Sequence, residues 1–190
     1  MTERESLFDA LRLGYADPPY PGQAKLYKDH PDYAGEVDHA RLIYKLVTEY
    51  DGYCLHTSSV ALPQILDRFS IEVGGDDFPR VMAWVKPFAA FKRNVSVAYA
   101  WEPVLVRAAR KPVVRKNMGF TYRDWLDESI TLKRGLTGAK PERVVHWLLE
   151  AMGAEPEDTF DDLYPGTGAV TRAWETWKTL RASLPVEAVA

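Results

Sequence analysis

The residues best suited to chemistry stand at 17–20, where Asp17-Pro18-Pro19-Tyr20 follows the short apolar run Leu11 to Ala16. A carboxylate and the neighbouring backbone carbonyl are two acceptors that can hold both N–H groups of a planar amine. Two successive prolines, each with a fixed φ, set those acceptors before any substrate arrives. Tyr20 adds a flat face for stacking a ring, worth roughly 1–3 kcal/mol where the ring is a nucleobase. The same four residues also read as a proline-rich turn with a partly buried tyrosine. A second segment, Asp161-Asp162-Leu163-Tyr164-Pro165-Gly166-Thr167-Gly168, puts two glycines where a strand passes into a helix. Glycine lets a backbone run close to a ligand, and a helix N-terminus favours a carboxylate or phosphate. Taken alone, it reads equally as a tight strand-to-helix connection.

The elements that must position these segments follow from pattern. Leu11 to Ala16 predicts a buried strand ending where the aspartate begins. Val37, Ala40, Ile43, Tyr44, Val47 and Tyr50 recur at helical spacing and predict an amphipathic helix over Val37 to Tyr50, broken by Asp51-Gly52. Tyr53 to Thr57 predicts a second strand, with Ser58-Ser59 as the cap of a helix over Val60 to Phe69 and Pro63 in its first turn. Val81 to Val85 and Val95 to Val106 predict a hairpin-like pair at one end of the sheet, and 117–138 reads as less regular. Pro141 to Met152 predicts a helix closed by Gly153; Thr159 to Tyr164 predicts a last strand, and Ala169 to about Leu180 a last helix, with a frayed tail from about Ala182. Strands alternating with helices predict an α/β fold with a parallel sheet in a single domain over 1–190. Ligands of such sheets sit at the carboxyl ends of the strands, where 17–20, His56-Thr57-Ser58-Ser59 and 165–168 all fall. Trp84 and Trp101, in apolar strands, are expected in the core.

Composition narrows the classes. A chain of 190 residues, 46% hydrophobic and 27% charged, has the make-up of a globule with one core. No apolar run approaches the roughly eighteen residues of a membrane span, and the charged N-terminus does not resemble a signal peptide, so a cytoplasmic protein is expected. The lone Cys54 excludes an internal disulfide and a cysteine-rich metal site. His30, His39, His56 and His146 lack ligand spacing with cysteine or paired acids, so no metal is expected. The net charge of −3 argues against a general nucleic-acid binder. Basic residues nevertheless cluster at Arg107, Arg110, Lys111, Arg115 and Lys116, with Lys92 and Arg93 nearby, and the acids lie elsewhere. They predict one basic side, either a phosphate-contacting face or a solvated surface.

Together the two segments resemble the amino-methyltransferases that carry the D-P-P-Y signature, in the permuted order where the catalytic motif precedes the cofactor motif. Gly14 to Tyr20 resembles the catalytic strand and loop, and Asp51 to Ser59 the next strand. Ala83-Trp84-Val85-Lys86-Pro87 and Trp101-Glu102-Pro103-Val104-Leu105-Val106 are similar to later strands, and Gly138-Ala139-Lys140-Pro141 to the approach to the cofactor motif. The order and spacing of six segments are more specific than either motif. The resemblance implies a Rossmann-like class I methyltransferase sheet shortened to about five strands, with S-adenosyl-L-methionine as cofactor. It implies methylation of an exocyclic nucleobase amine, adenine in DNA, with Asp17, Pro18, Pro19 and Tyr20 as the catalytic group. Asp162, Tyr164, Pro165, Gly166, Thr167 and Gly168 would hold the cofactor, Lys140 would approach its methionine carboxylate, and His56 and Ser58 would line the same site from their strand end. DNA contacts would fall to Lys92, Arg93, Arg107, Arg110, Lys111, Arg115 and Lys116. Two departures qualify this. The family continues past the cofactor loop for two strand-helix units, the first of which supplies an acidic ribose contact. That contact would come here from elsewhere in the chain, from a homodimer or from a partner subunit. There is also no separate target-recognition domain, which leaves specificity to loops at 88–94 and 107–133 or to another protein. Methylation of RNA or of a small amine, and a non-catalytic methyltransferase-like subunit, are the alternatives.

Overall fold

Alternate residues of the first strand feed two separate cores. In the computed structural model, which describes residues 9–28, 35–88, 95–110, 122–130 and 139–183, strand β1 is Arg12–Ala16. Leu13 and Tyr15 point into one hydrophobic cluster and Ala16 into the other. A strand buried on both faces must be apolar throughout, so it reads from sequence as a run without alternation. The remaining elements are α1 (His39–Glu49), β2 (Gly52–His56), α2 (Leu62–Glu72), β3 (Arg80–Val85), β4 (Trp101–Arg107), β5 (Trp125–Asp127), α3 (Glu142–Met152), β6 (Thr159–Asp162) and α4 (Ala169–Ser183). The sheet order is β5-β3-β4-β2-β1-β6. Strands β2, β1 and β6 are parallel, β4 runs antiparallel between β3 and β2, and β3 pairs with β5 in parallel.

Helices cover both faces. One face packs on α3 and α4 through Val144, Val145, Leu148, Leu149, Met152, Trp174 and Trp177. The other packs on α1 and α2 through Leu42, Ile43, Leu46, Ile65 and Phe69. Gly14 is required by this packing, since a Cβ there would sit 2.9 Å from the Tyr50 ring. The expected α/β architecture is present, with six strands rather than about five. The added strand is β5, inside the stretch that reads as irregular. Three residues are too short to display a period, and β5 exists through its pairing with Ala83 to Val85.

Three expectations shift. β4 begins at Trp101 instead of near Val95, because its pairing with β3 ends at the Val85–Trp101 pair. Trp101 is 41% exposed at that end, whereas Trp84 is buried as expected. Ser58 caps the turn ahead of α2, accepting from the Ala61 amide at 3.1 Å, and the helix proper starts at Leu62.

Candidate active site

The parallel pairing of β1 with β6, Tyr15 opposite Asp162, sets the Asp17-Pro18-Pro19-Tyr20 loop beside the loop that follows β6. Both leave the carboxyl ends of adjacent strands, as does His56 of β2. Three segments far apart in the chain therefore meet at one edge.

Behind the first loop lies a buried polar network. The Tyr15 hydroxyl bonds His56 Nε2 at 2.7 Å, and His56 Nδ1 meets Glu102 Oε1 at 2.6 Å. Lys140 Nζ lies 2.9 Å from the same Glu102 oxygen and 3.0 Å from Asp17 Oδ1. Lys86 Nζ lies 2.7 Å from Glu102 Oε2. Both ammonium groups also stand over the Trp84 ring, at 4.4 Å for Lys86 and 5.4 Å for Lys140. The Nδ1–H tautomer of His56 satisfies both of its contacts, since Glu102 accepts and the tyrosine donates. Burial pushes the Tyr15 phenol well above its ordinary value, so it remains a donor.

Charges balance within this network. Burial opposes the ionised form of Glu102, yet Lys140, His56 and Lys86 outweigh it and hold the carboxyl well below its usual range. Burial likewise opposes the Lys140 ammonium, and Asp17 and Glu102 outweigh it, raising its value above that of an ordinary lysine. Asp17, His56 and Glu102 place three possible metal-ligand atoms within 4.8 Å of one another. The Lys140 ammonium bridges the two carboxylates, so a cation already occupies the place a metal would take.

The second loop is shaped by Asp162, whose Oδ2 accepts from Thr171 Oγ1 at 3.0 Å and whose Oδ1 accepts from the Tyr164 amide at 3.4 Å. Gly166 and Gly168 have φ of 45° and 69°, a region that favours glycine. The Gly168 amide closes the turn on the Pro165 carbonyl at 2.6 Å, and Arg172 Nη1 donates to the Thr167 carbonyl at 3.0 Å. A Cβ at Gly166 would find its nearest neighbour only at 3.8 Å, the Tyr164 carbonyl oxygen, so open space lies over this loop.

The sequence-predicted residues divide accordingly. Asp17, Pro18, Pro19 and Tyr20 share one edge with Tyr164, Pro165, Gly166, Thr167 and Gly168. His56 is 1% exposed, with both ring nitrogens bound inside the protein, so it stands behind the edge instead of lining it. Lys140 turns to Asp17 and Glu102. Asp162 bonds its own loop and helix. Arg107 and Arg110 lie at the opposite end of the sheet: β4 is antiparallel, so its last residue, Arg107, pairs with Tyr53 near the start of β2. Through Tyr53, Arg107 lies level with Gly14 of β1, three residues and roughly 10 Å at about 3.3 Å each before Asp17. Arg107 bonds Asp77 at 3.0 Å, and Arg110 clamps Asp158 with two bonds of 2.7 Å. Lys92, Arg93, Lys111, Arg115 and Lys116 fall outside the described residues. Sequence reasoning missed Glu102 and Lys86, and the signal was available: a lone carboxylate opening the run Trp101 to Val106 is a charge where only apolar residues are expected.

No protein-family model matches the chain, and no curated protein matches it. Among solved structures it is similar to the M1.HpyAVI–SAM complex, with TM-score 0.60 and 16% identity over 89% of this chain and 79% of that one. A second M1.HpyAVI crystal structure gives 0.56 and 18% over 89% and 78%. Among the described residues no helix is long and apolar enough to cross a membrane. At these identities the likeness establishes the fold: the chain has the Rossmann-like α/β architecture of M1.HpyAVI, with its candidate site at the carboxyl edge of β1, β2 and β6.

Proposed function

We propose that the protein is an S-adenosylmethionine-dependent methyltransferase acting on an exocyclic nucleobase amine, adenine in DNA. The observation that carries this reading is the β1–β6 pairing, which brings Asp17-Pro18-Pro19-Tyr20 beside the glycine loop Pro165 to Gly168. The loop fits the cofactor, since both of its glycines have positive φ and Gly166 has open space beside it in the turn that enters α4. A structural neighbour of the same fold was solved with SAM. When bound, S-adenosylmethionine supplies a sulfonium methyl that an amine nitrogen takes as the C–S bond breaks with its electron pair left on sulfur.

The chain's own residues do the rest. Asp17 and the Pro18 carbonyl accept the two amine hydrogens and favour a pyramidal nitrogen with an available lone pair. Tyr20 stacks the base, which offsets part of the few kcal/mol, roughly, that unstacking it costs. Asp17 takes the proton the product nitrogen sheds. Lys140 is held as an ammonium and cannot accept it.

Calorimetry with S-adenosylmethionine, followed by detection of N-methyladenine in incubated DNA, tests the reading. Wild-type protein should bind, Gly166→Trp should not, and Asp17→Ala should bind with turnover lowered about 100-fold or more. Normal turnover in Asp17→Ala sinks the mechanism. One observation favours a small amine substrate: Arg107 and Arg110 lie towards the other end of the sheet, paired with Asp77 and Asp158. Activity that ignores added salt would select a small amine, because phosphate contacts make activity fall steeply with salt.

A further inference from the structure

Resting on the methyltransferase reading, we propose that Glu102 is a positioning residue for Asp17 and acts through Lys140. Glu102 is 4% exposed on β4, between Trp101 and Pro103 and opposite Trp84, and the strand continues through the buried Val104, Leu105 and Val106. A buried carboxylate is costly to desolvate, and a hydrophobic residue of similar volume would serve packing at least as well. What the carboxylate provides is geometry. Its Oε1 holds Lys140 Nζ at 2.9 Å and its Oε2 holds Lys86 at 2.7 Å, with Trp84 beneath both ammonium groups. Fixed on that side, Lys140 Nζ presents itself 3.0 Å from Asp17 Oδ1. No described residue bonds Asp17 Oδ2, which leaves one oriented oxygen for the amine. His56, anchored by Tyr15, bonds that same Glu102 Oε1 at 2.6 Å. The carboxylate that meets the substrate is therefore set by a chain of contacts reaching through the sheet, and Lys140 serves as an internal cation in that chain.

The test compares Glu102→Gln, which keeps the shape, with Glu102→Asp, which keeps the charge. If Glu102 positions Asp17, Glu102→Gln lowers kcat about 100-fold, the cost of misplacing a reacting group by about 1 Å. KM for DNA and cofactor affinity stay near wild type, and Glu102→Asp retains more activity than Glu102→Gln. Wild-type kcat per folded molecule in Glu102→Gln, or a glutamine that outperforms aspartate, overturns the proposal. A readout independent of turnover is the Lys140 Nζ resonance. It should remain an ammonium through the alkaline range where ordinary lysines titrate, and should lose its proton earlier in Glu102→Gln; an unchanged titration also overturns the proposal. If wild-type protein transfers no methyl group to DNA, the methyltransferase reading fails and the Lys140 resonance alone decides this one. Should Glu102→Gln not fold, the pair Glu102→Gln with Lys86→Met, which removes one unpaired cation, carries the same measurements.

Discussion

Arg110→Met separates a structural arginine from a nucleic-acid contact. The Arg110 guanidinium meets both oxygens of Asp158 at 2.7 Å and also donates to the carbonyls of Gly153 and Asp9. Asp158 accepts as well from the amides of Leu11 and Glu155, so it ties the entrances of β1 and β6 to the segment after β4. The Asp158 side chain is fully buried, and removing its cation leaves a charge that two amides only partly satisfy. Breaking a buried pair costs about 3–5 kcal/mol. The Arg110 side chain is 15% exposed, so water reaches part of the gap and the lower end applies, about 3 kcal/mol. A chain of this length loses about 2–4 °C per kcal/mol, which places the fall in Tm at about 6–12 °C. Thermal unfolding measures that. Titration of DNA binding against salt measures the alternative, because losing one phosphate contact lowers the slope of log K against log salt by about 0.9. A slope reduced by that amount with Tm unchanged would refute the structural role.

Three further expectations follow from the same geometry. Gly168→Ala forces an L residue into φ 69° and brings its Cβ within 3.0 Å of Arg172 Nη1; it should cost about 1–2 kcal/mol and weaken S-adenosylmethionine binding, and unchanged values for both would show that the loop is not held as described. Thr57→Val should be neutral or stabilising in urea unfolding, because the buried Thr57 hydroxyl has no hydrogen-bond partner among the described residues; a loss above about 1 kcal/mol would reveal a partner. Stability should decline as pH rises from 10.0 towards about 12, since burial and Asp161 raise Tyr50 to about 12 and the unfolded chain ionises first. Tyr50→Phe should flatten that decline, and an equally steep one would assign it elsewhere. The acid side has the opposite sign. Glu102 is held well below its ordinary 4.5, so its contribution is present above that value and is lost as pH falls through its lowered one.

Periodicity and punctuation were sufficient for the local elements. The helical stripe from Val37 to Tyr50, the Pro141 start and Gly153 stop of α3, and the unbroken apolar run of β1 are each written in consecutive residues, because turn, cap and amphipathic preferences act over a few positions. That 17–20 and 165–168 stand at the ends of strands was legible for the same reason. Pairing belongs to tertiary structure. That β5 is a strand, that β4 inserts antiparallel between β3 and β2, and that Arg107 and Arg110 consequently lie at the far end from Asp17 depend on which edges meet, and no local signal encodes that. The Tyr15–His56–Glu102–Lys140–Asp17 network shows the limit most directly. Its contacts join residues from 38 to 123 positions apart in the chain. Tyr15 and Glu102 read in sequence as ordinary strand residues, and nothing local links them to Asp17, His56 and Lys140. Only burial away from water, which forces every charge to find a partner, makes the network one unit and turns Lys140 towards the Asp17 carboxylate.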